Sequence, residues 1–169
     1  PDAVTVAPTL YAEAPVRYII ELDRAGRLLS QRPTDTASAG SPATRRGERR
    51  LVPQTVRSVG VKPLLLADNA EYTLGLPRDG SRVERVAACH RAYVDLLDRC
   101  VAATGEPAAE AVRRFLASDP AQQLDLDSDF DRAATITFRV ESDFVVDLPS
   151  VQRFWAEAND PALNDAPVM

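Results

Sequence analysis

The sequence is poor in the residues that enzyme and metal sites most often require. Its 169 residues include two cysteines and a single histidine, His90. Zinc-ligand spacing, a Walker-type phosphate loop and a G-x-G-x-x-G fingerprint are all absent from the sequence. The lone histidine falls on the apolar stripe of a predicted helix, so no Ser/His/Asp triad can be assembled. We therefore predict a protein that is not an enzyme and has no catalytic residue, metal site or cofactor.

Long apolar runs and cysteine pairs are also lacking. No stretch reaches the length of about 18 apolar residues that a membrane span needs, so no membrane partner is predicted. Cys89 and Cys100 lie in one predicted helix, about 16 Å apart along its axis, which is too far for a disulfide. Two free thiols favour a reducing compartment and hence a cytoplasmic location.

The chain length fits one domain flanked by irregular segments. Residues 32–48 contain two prolines, two glycines and many small polar residues, which predicts a flexible loop. Residues 159–169 contain two further prolines and are predicted to be a linker. A chain that starts at Pro1 rather than Met is expected to be processed or cut from a longer protein. The predicted domain therefore covers residues 1–158.

Two segments have the composition of β-hairpins. The stretch Tyr18–Leu22 is rich in β-forming residues, and a turn over 23–26 leads to a predicted return strand over 27–31. Residues 134–141 alternate in hydrophobicity and are followed by a predicted partner strand over 144–147.

Helical periodicity is clearest in the middle of the chain. A long helix is predicted from an N-cap at Ser81 to Ala103, and a second helix from Pro107 to Ala117. The apolar stripe of the first helix consists of Val83, Val86, His90, Tyr93, Leu97 and Cys100. The packing face of the second includes Ala111, Val112, Arg114 and Phe115. We predict an α+β fold, in which a small mixed or antiparallel sheet built from hairpins packs against this helical hairpin.

A basic stretch opposes the net charge of −5 that the chain carries. It contains Arg45, Arg46, Arg49, Arg50, Arg57 and Lys62, against the single acid Glu48. Between and after these cations lie the amides of Gln54 and Asn69, which can hydrogen-bond base edges, whereas arginine and lysine attract phosphates. The stretch therefore predicts contact with nucleic acid. The alternatives are that the arginines pair with an acidic turn of the same domain, over residues 119–131, and that Asn69 is a helix cap or turn residue.

Residues 119–131 form an acidic segment with Asp125, Asp127, Asp129 and Asp131. An EF-hand loop beginning at Asp125 would need glycine at its sixth position and glutamate at its twelfth, where Phe130 and Ile136 stand. We therefore predict a solvated acidic turn. A nuclease in which these acids and Asp68 bind metal is a further alternative, but their spacing does not collect two or three ligands.

Several short elements occur in a distinctive order. They are V-P-Q at Val52–Gln54, the Lys62-Pro63 pair, D-N-x-x-Y-x-L-G at Asp68–Gly75, F-L-x-x-x-P at Phe115–Pro120, and Phe154-Trp155. In this order they resemble the amino-terminal part of the large subunit of the type I-C CRISPR surveillance complex, Cascade, of the Csd-type Cas eight family. The resemblance covers most of the chain but only the amino-terminal portion of such a subunit.

This resemblance implies a function in antiviral defence. Such a subunit lies near the crRNA 5′ handle and the backbone subunits, recognises the protospacer-adjacent motif (PAM) in target double-stranded DNA, and assists strand separation for R-loop formation before a nuclease-helicase is recruited. On this chain, Gln54, Lys62 and Asn69 are the expected base-edge or strand-separating residues. The expected phosphate contacts are Arg45, Arg46, Arg49, Arg50 and Arg57. The alternative function is a non-catalytic scaffold that docks acidic partner surfaces.

Overall fold

Residues 9–39, 45–55 and 60–159 are described by a computed structural model, and they form two sheets with a layer of helices. The strands are β1 (Tyr11–Val16), β2 (Tyr18–Leu22), β3 (Thr34–Asp35), β4 (Glu48–Pro53), β5 (Ala67–Asp68), β6 (Ile136–Val140) and β7 (Asp143–Phe144). The helices are α1 (Ala70–Leu74), α2 (Val83–Thr104), α3 (Pro107–Leu116), α4 (Pro120–Gln123) and α5 (Pro149–Ala158). None of the described helices is both long enough and apolar enough to cross a bilayer.

The smaller sheet consists of β1 and β4. The two strands are antiparallel, with Tyr11 opposite Pro53 and Val16 opposite Glu48. Val16 and Val52 are fully buried, so one side of this ribbon packs into the core, whereas Arg49 of β4 is exposed.

The larger sheet has the order β3-β2-β6-β5, and β7 also pairs with β6. Its central strands β2 and β6 are parallel, from Tyr18 opposite Ile136 to Leu22 opposite Val140. Parallel neighbours need a crossover connection, and here that connection contains α1 to α4. Strand β6 is buried along nearly its whole length because helices cover the sheet.

The core lies between the larger sheet and helices α2, α3 and α5. Its largest fully buried side chains include Tyr93, Phe115, Phe138 and Trp155. The rings of Phe115 and Phe138 meet edge to face with centroids 6.3 Å apart, which joins α3 to β6. Gly105 ends α2 in the left-handed region at φ 64°, so the chain turns directly into α3.

The predicted α+β class is confirmed, as is the helical hairpin. Helix α3 begins at the predicted Pro107, and β6 falls within the predicted 134–141 strand. The predicted partner strand over 144–147 is only partly present, because β7 ends at Phe144 and Val145–Asp147 form a 3₁₀ helix. The two cysteines are free and buried, and burial raises the pKa of the Cys100 thiol to about 11, so it stays a thiol at neutral pH.

Four local predictions are wrong. Ser81 does not cap α2, because its hydroxyl is hydrogen-bonded to the buried Glu71 and the helix begins two residues later. Val83 then lies at the first helical position and is 77% exposed. Arg114 points to solvent and pairs with Glu110 on its own helix. The return strand after β2 is reduced to one bridge between Leu22 and Leu28.

Part of the segment predicted as a loop is regular in the structure. Strand β3 lies within the 32–48 segment and pairs with the start of β2, and a 3₁₀ helix follows it over Thr36–Ala39. The long segment thus supplies the antiparallel neighbour that the sequence pattern assigned to residues 27–31. Residues 40–44 of the same segment lie outside the described part of the chain.

Candidate nucleic-acid interface

The arginines on β4 are engaged by acids. Arg49 lies 3.8 Å from the carboxylate of Glu13 on the paired strand and also donates to the Glu13 carbonyl at 3.3 Å. Arg50 pairs with Asp147 at 3.2 Å and with Glu48 at 3.6 Å. The arginines of β4 thus pair within the domain, as the alternative predicted, but the predicted partner was wrong, because Glu13, Glu48 and Asp147 lie outside the acidic turn.

Arg50 is also packed as part of the structure. Its guanidinium lies 3.5 Å from the centre of the Phe144 ring, and its side chain is only 23% exposed. A cation over an aromatic face adds attraction to that of the ion pairs. Arg50 therefore joins the smaller sheet to β7, and most of its charge is compensated locally.

Arg45 and Arg46 lie in the turn before β4, and both are exposed. Neither forms a hydrogen bond or ion pair with the rest of the described chain. They therefore present charge that a polyanion can reach. Arg57, which the sequence grouped with them, lies outside the described residues.

Gln54 and Lys62 lie on the two sides of the undescribed 56–59 segment. The backbone N–H of Gln54 donates to the Leu10 carbonyl at 2.8 Å, which extends the β1–β4 ribbon by one residue. Gln54 itself is half-buried, whereas Lys62 is exposed. The Lys62 backbone N–H donates to the Tyr72 hydroxyl at 3.2 Å, so helix α1 fixes the position of Lys62.

Asn69 is the N-cap of α1. Its Oδ1 accepts a hydrogen bond from the Tyr72 backbone N–H at 3.3 Å, in the geometry expected for a capping side chain. Tyr72 thus contacts Asn69 through its backbone and Lys62 through its hydroxyl. This shared partner explains why the D-N-x-x-Y element and Lys62 form one unit in the fold.

Asp68 stabilises the same unit from inside. It is 1% exposed, and its two carboxylate oxygens accept hydrogen bonds from the backbone N–H groups of Leu64 and Asn69, both at 2.8 Å. A carboxylate that satisfies buried backbone donors fixes a turn. Its neighbours therefore give Asp68 a structural role, in contrast to the metal-binding role considered in the nuclease alternative.

Lys62 lines a cleft of about 290 Å³ between three parts of the chain. The cleft is lined by Thr55, Val61, Lys62, Pro63, Leu96, Arg99, Trp155, Ala158 and Asn159. We call this set the basic cleft, because its described lining contains two cations and no acid. Arg99 on α2 forms no ion pair with any described residue. Two of the described lining residues are thus basic, in a protein with a net charge of −5.

Sequence reasoning missed Arg99 and Asn159. Arg99 lies three positions after the buried Leu96, so helical periodicity places it beside the stripe that packs on the core. That spacing could have predicted that Arg99 lies at the edge of the buried face of α2. It does not predict that this part of α2 lies against residues 60–63. Asn159 was assigned to the linker, and the structure places it just after α5 at the rim of the basic cleft.

The acidic segment does not line the basic cleft, and two of its carboxylates accept hydrogen bonds from backbone N–H groups close by in sequence. Asp127 accepts from the Asp129 backbone N–H, and Asp131 accepts from that of Ala133. Asp125 pairs with Arg32 at 3.1 Å. Within the described ranges, no group of three or more potential ligands is placed to hold a metal ion.

Comparison with known protein families identifies the chain. Residues 1–168 match the family described as CRISPR-associated protein (Cas_Csd1). A search of curated proteins gives no match. The family match covers nearly the whole chain and confirms the resemblance carried by the V-P-Q, Lys-Pro and D-N-x-x-Y-x-L-G elements. The chain therefore belongs to the Cas_Csd1 family and is a Csd-type Cas large subunit.

Proposed function

We propose that this chain is the DNA-recognition module of its CRISPR surveillance complex. It contacts target double-stranded DNA, recognises the protospacer-adjacent motif and assists the strand separation that begins R-loop formation in antiviral defence. The observation that carries the proposal is the turn before β4, where Arg45 and Arg46 are exposed and form no ion pair with a described residue. Such uncompensated positive charge favours a polyanionic partner.

Gln54 and Lys62 are proposed to read the motif. Gln54 immediately precedes Thr55, which lines the basic cleft that Lys62 also lines. A glutamine amide can pair with the edge of adenine, and a lysine can donate to acceptors in either groove. Asn69 supports them by capping α1, and its side-chain NH₂ remains the group with which it would contact DNA.

Arg45 and Arg46 are proposed to hold phosphates, together with Arg57 as predicted from the sequence. Both described members of this set are exposed and lack an acidic partner in the described part of the chain. Arg49 and Arg50 are expected to add less to DNA affinity, because their charges are shared with Glu13, Glu48 and Asp147. Compensated charges contribute little to counterion release.

The module is proposed to act without catalysis or cofactor, in the cytoplasm. Guide pairing would supply sequence specificity beyond the motif, as in other RNA-guided effectors. Its partners would then be the crRNA, the subunit at the crRNA 5′ handle, the backbone subunits and the nuclease-helicase that arrives later.

The test uses the full-length subunit in a reconstituted complex with crRNA. Kd is measured for duplexes with a functional motif and with an altered motif. Gln54→Ala and Lys62→Ala are expected to reduce the ratio of the two affinities about tenfold, because each removes a group that reads a base edge. Gln122→Ala, at an exposed position on α4, serves as the matched control and should leave the ratio unchanged.

Two results would contradict the proposal. An unchanged affinity ratio in both Gln54→Ala and Lys62→Ala, in fully assembled complexes, would mean that these residues do not read the motif. Loss of another subunit from the purified complex, with the affinity ratio retained, would favour the scaffold that docks acidic partner surfaces.

A further inference from the structure

We infer that Thr36 is a positioning residue for DNA binding, because it fixes the turn that carries Arg45 and Arg46 before DNA arrives. The inference deepens the proposed function and rests on it, since it assumes that these two arginines contact phosphates. Thr36 follows β3 within the segment 32–48, which the sequence pattern predicted to be a flexible loop. It carries no charge, so the pattern of basic residues does not include it.

The Thr36 side chain joins the start of β4 to the end of β1. Its hydroxyl accepts a hydrogen bond from the Glu48 backbone N–H and donates one to the Val16 carbonyl, both at 2.8 Å. The Thr36 backbone N–H also donates to the Arg17 carbonyl at 2.8 Å. These hydrogen bonds connect Thr36 to both of the chain segments that meet beside the turn.

Gly47 lies between the two arginines and β4, and it packs against the same junction. It is buried and has a φ of 114°, a backbone conformation that favours glycine. A Cβ at this position would lie 2.6 Å from the Cα and the backbone nitrogen of Arg17 and from the carbonyl carbon of Val16. The backbone of the turn is therefore packed directly on the junction between β1 and β2, with no room for a side chain at Gly47.

The junction under the turn is itself anchored to the larger sheet. The backbone N–H groups of Arg17 and Tyr18 both donate to the carbonyl of Thr135, the residue before β6, at 3.1 and 3.2 Å. The Arg17 guanidinium donates two hydrogen bonds to the carboxylate of Asp35 on β3, at 3.1 and 3.2 Å. Both sheets therefore support the backbone that carries the two arginines of the turn.

Arg45 and Arg46 are exposed on this anchored backbone. Residues 40–44, which precede them and lie outside the described part of the chain, contain no acid in their sequence. A binding group whose backbone is already ordered loses less conformational entropy when the ligand binds. Affinity for DNA phosphates should therefore depend on the uncharged Thr36 as well as on the two cations.

The experiment is a double-mutant cycle in the reconstituted complex with crRNA, in which Kd for the target duplex is measured. Thr36→Val removes the hydroxyl but keeps the shape of the side chain and both arginines, and it should weaken binding about three- to tenfold. Thr36→Ser keeps the hydroxyl and should retain wild-type affinity. In the background of Arg45→Gln with Arg46→Gln, Thr36→Val should weaken binding by less than about twofold, because the groups that it positions are gone.

Thr34→Val is the matched control on the same strand. Its hydroxyl donates to the Glu21 carboxylate at 2.8 Å and not to the turn, so this variant should keep wild-type affinity. Amide hydrogen exchange of the DNA-free complex adds a measurement that needs no variant. The Glu48 N–H, held by the Thr36 hydroxyl, should exchange at least about a hundredfold more slowly than an unstructured amide.

Three results would overturn the inference: wild-type affinity in Thr36→Val, an equal loss of affinity from Thr36→Val in both backgrounds, or unprotected exchange at Glu48. Arg45→Gln with Arg46→Gln tests the phosphate contacts of the proposed function separately. If this double variant bound DNA like wild type, the proposed function would fail at this turn. If it bound weakly while Thr36→Val bound like wild type, only the positioning role would fail.

Discussion

Two basic regions of the molecule differ in what surrounds their charges. On β4, Arg49 and Arg50 belong to the densest run of arginine in the sequence, yet acids from β1, β4 and the segment after β7 pair with them. In the basic cleft, Arg99 forms no ion pair with a described residue, and it lines one concavity with Lys62, 37 positions earlier in sequence. Positive surface therefore depends on which acids the fold brings near each cation, more than on the local density of arginine.

The largest expected effect comes from removing Arg50. Arg50→Ala loses the ion pairs with Asp147 and Glu48 and the contact with the Phe144 ring, so the free energy of unfolding should fall by about 1–2 kcal/mol. Arg99→Ala should change it by less than about 0.5 kcal/mol, since Arg99 makes no described ion pair. Urea unfolding of the purified chain measures both values. Equal destabilisation by the two substitutions would remove the distinction between arginines with and without a described acidic partner.

Glu71 offers a second test, because it fixes the loop from which α2 begins. Its carboxylate accepts hydrogen bonds from Ser81 and Arg78. Burial by itself would raise the pKa of Glu71, but these two partners outweigh burial and hold the pKa below its ordinary value of 4.5. The ionised form is therefore favoured in the folded state. Its contribution to stability is present above the unfolded pKa and is lost as pH falls through the folded value.

Glu71→Gln should accordingly cost about 1 kcal/mol of unfolding free energy at neutral pH. The difference between wild type and variant should shrink as pH falls below 4.5, and urea titrations at several pH values measure it. Acids that titrate in both proteins, among them Glu21 and Glu110, contribute equally to the pH dependence of both stabilities, so their contributions cancel in this difference. If the difference in unfolding free energy between wild type and Glu71→Gln stayed constant from neutral pH to below the folded pKa of Glu71, the ionised carboxylate would not be what holds this loop.

The elements that the sequence predicted well are those determined by local patterns. Pro107 at the first position of α3 and the alternation in β6 each depend on a few neighbouring residues. The Ser81 cap failed because Glu71, ten residues earlier, binds its hydroxyl. The parallel pairing of β2 with β6 was not predicted, because no local signal links strands more than a hundred residues apart.

In the candidate site, too, the features set by local sequence could be predicted and those set by long-range packing could not. Lys62 could be proposed from its place in the basic stretch, and Asn69 was recognised as a possible cap from its residue type. Arg99 could not be assigned to the site, because its contribution depends on how α2 packs against residues 60–63. The neutralisation of Arg50 depends on Asp147, 97 positions later. Sequence composition identifies which charges exist, whereas the fold decides which of them remain available to a ligand.

The smallest expected effect comes from removing the acids that pair with the arginines of β4. It tests whether the paired acids keep these arginines from binding DNA. In Glu13→Gln with Asp147→Asn, the carboxylates next to Arg49 and Arg50 become neutral amides of nearly the same shape. Affinity of the complex for duplexes lacking the motif should then rise about two- to fivefold, and the salt slope should steepen by up to about one unit. Binding assays at two salt concentrations measure both changes. The charge-matched control is Asp125→Asn with Asp129→Asn, which removes two exposed carboxylates of the acidic segment. Equal gains in the test variant and the control would mean that total charge alone sets DNA affinity, whereas a gain confined to the test variant supports local masking by Glu13 and Asp147.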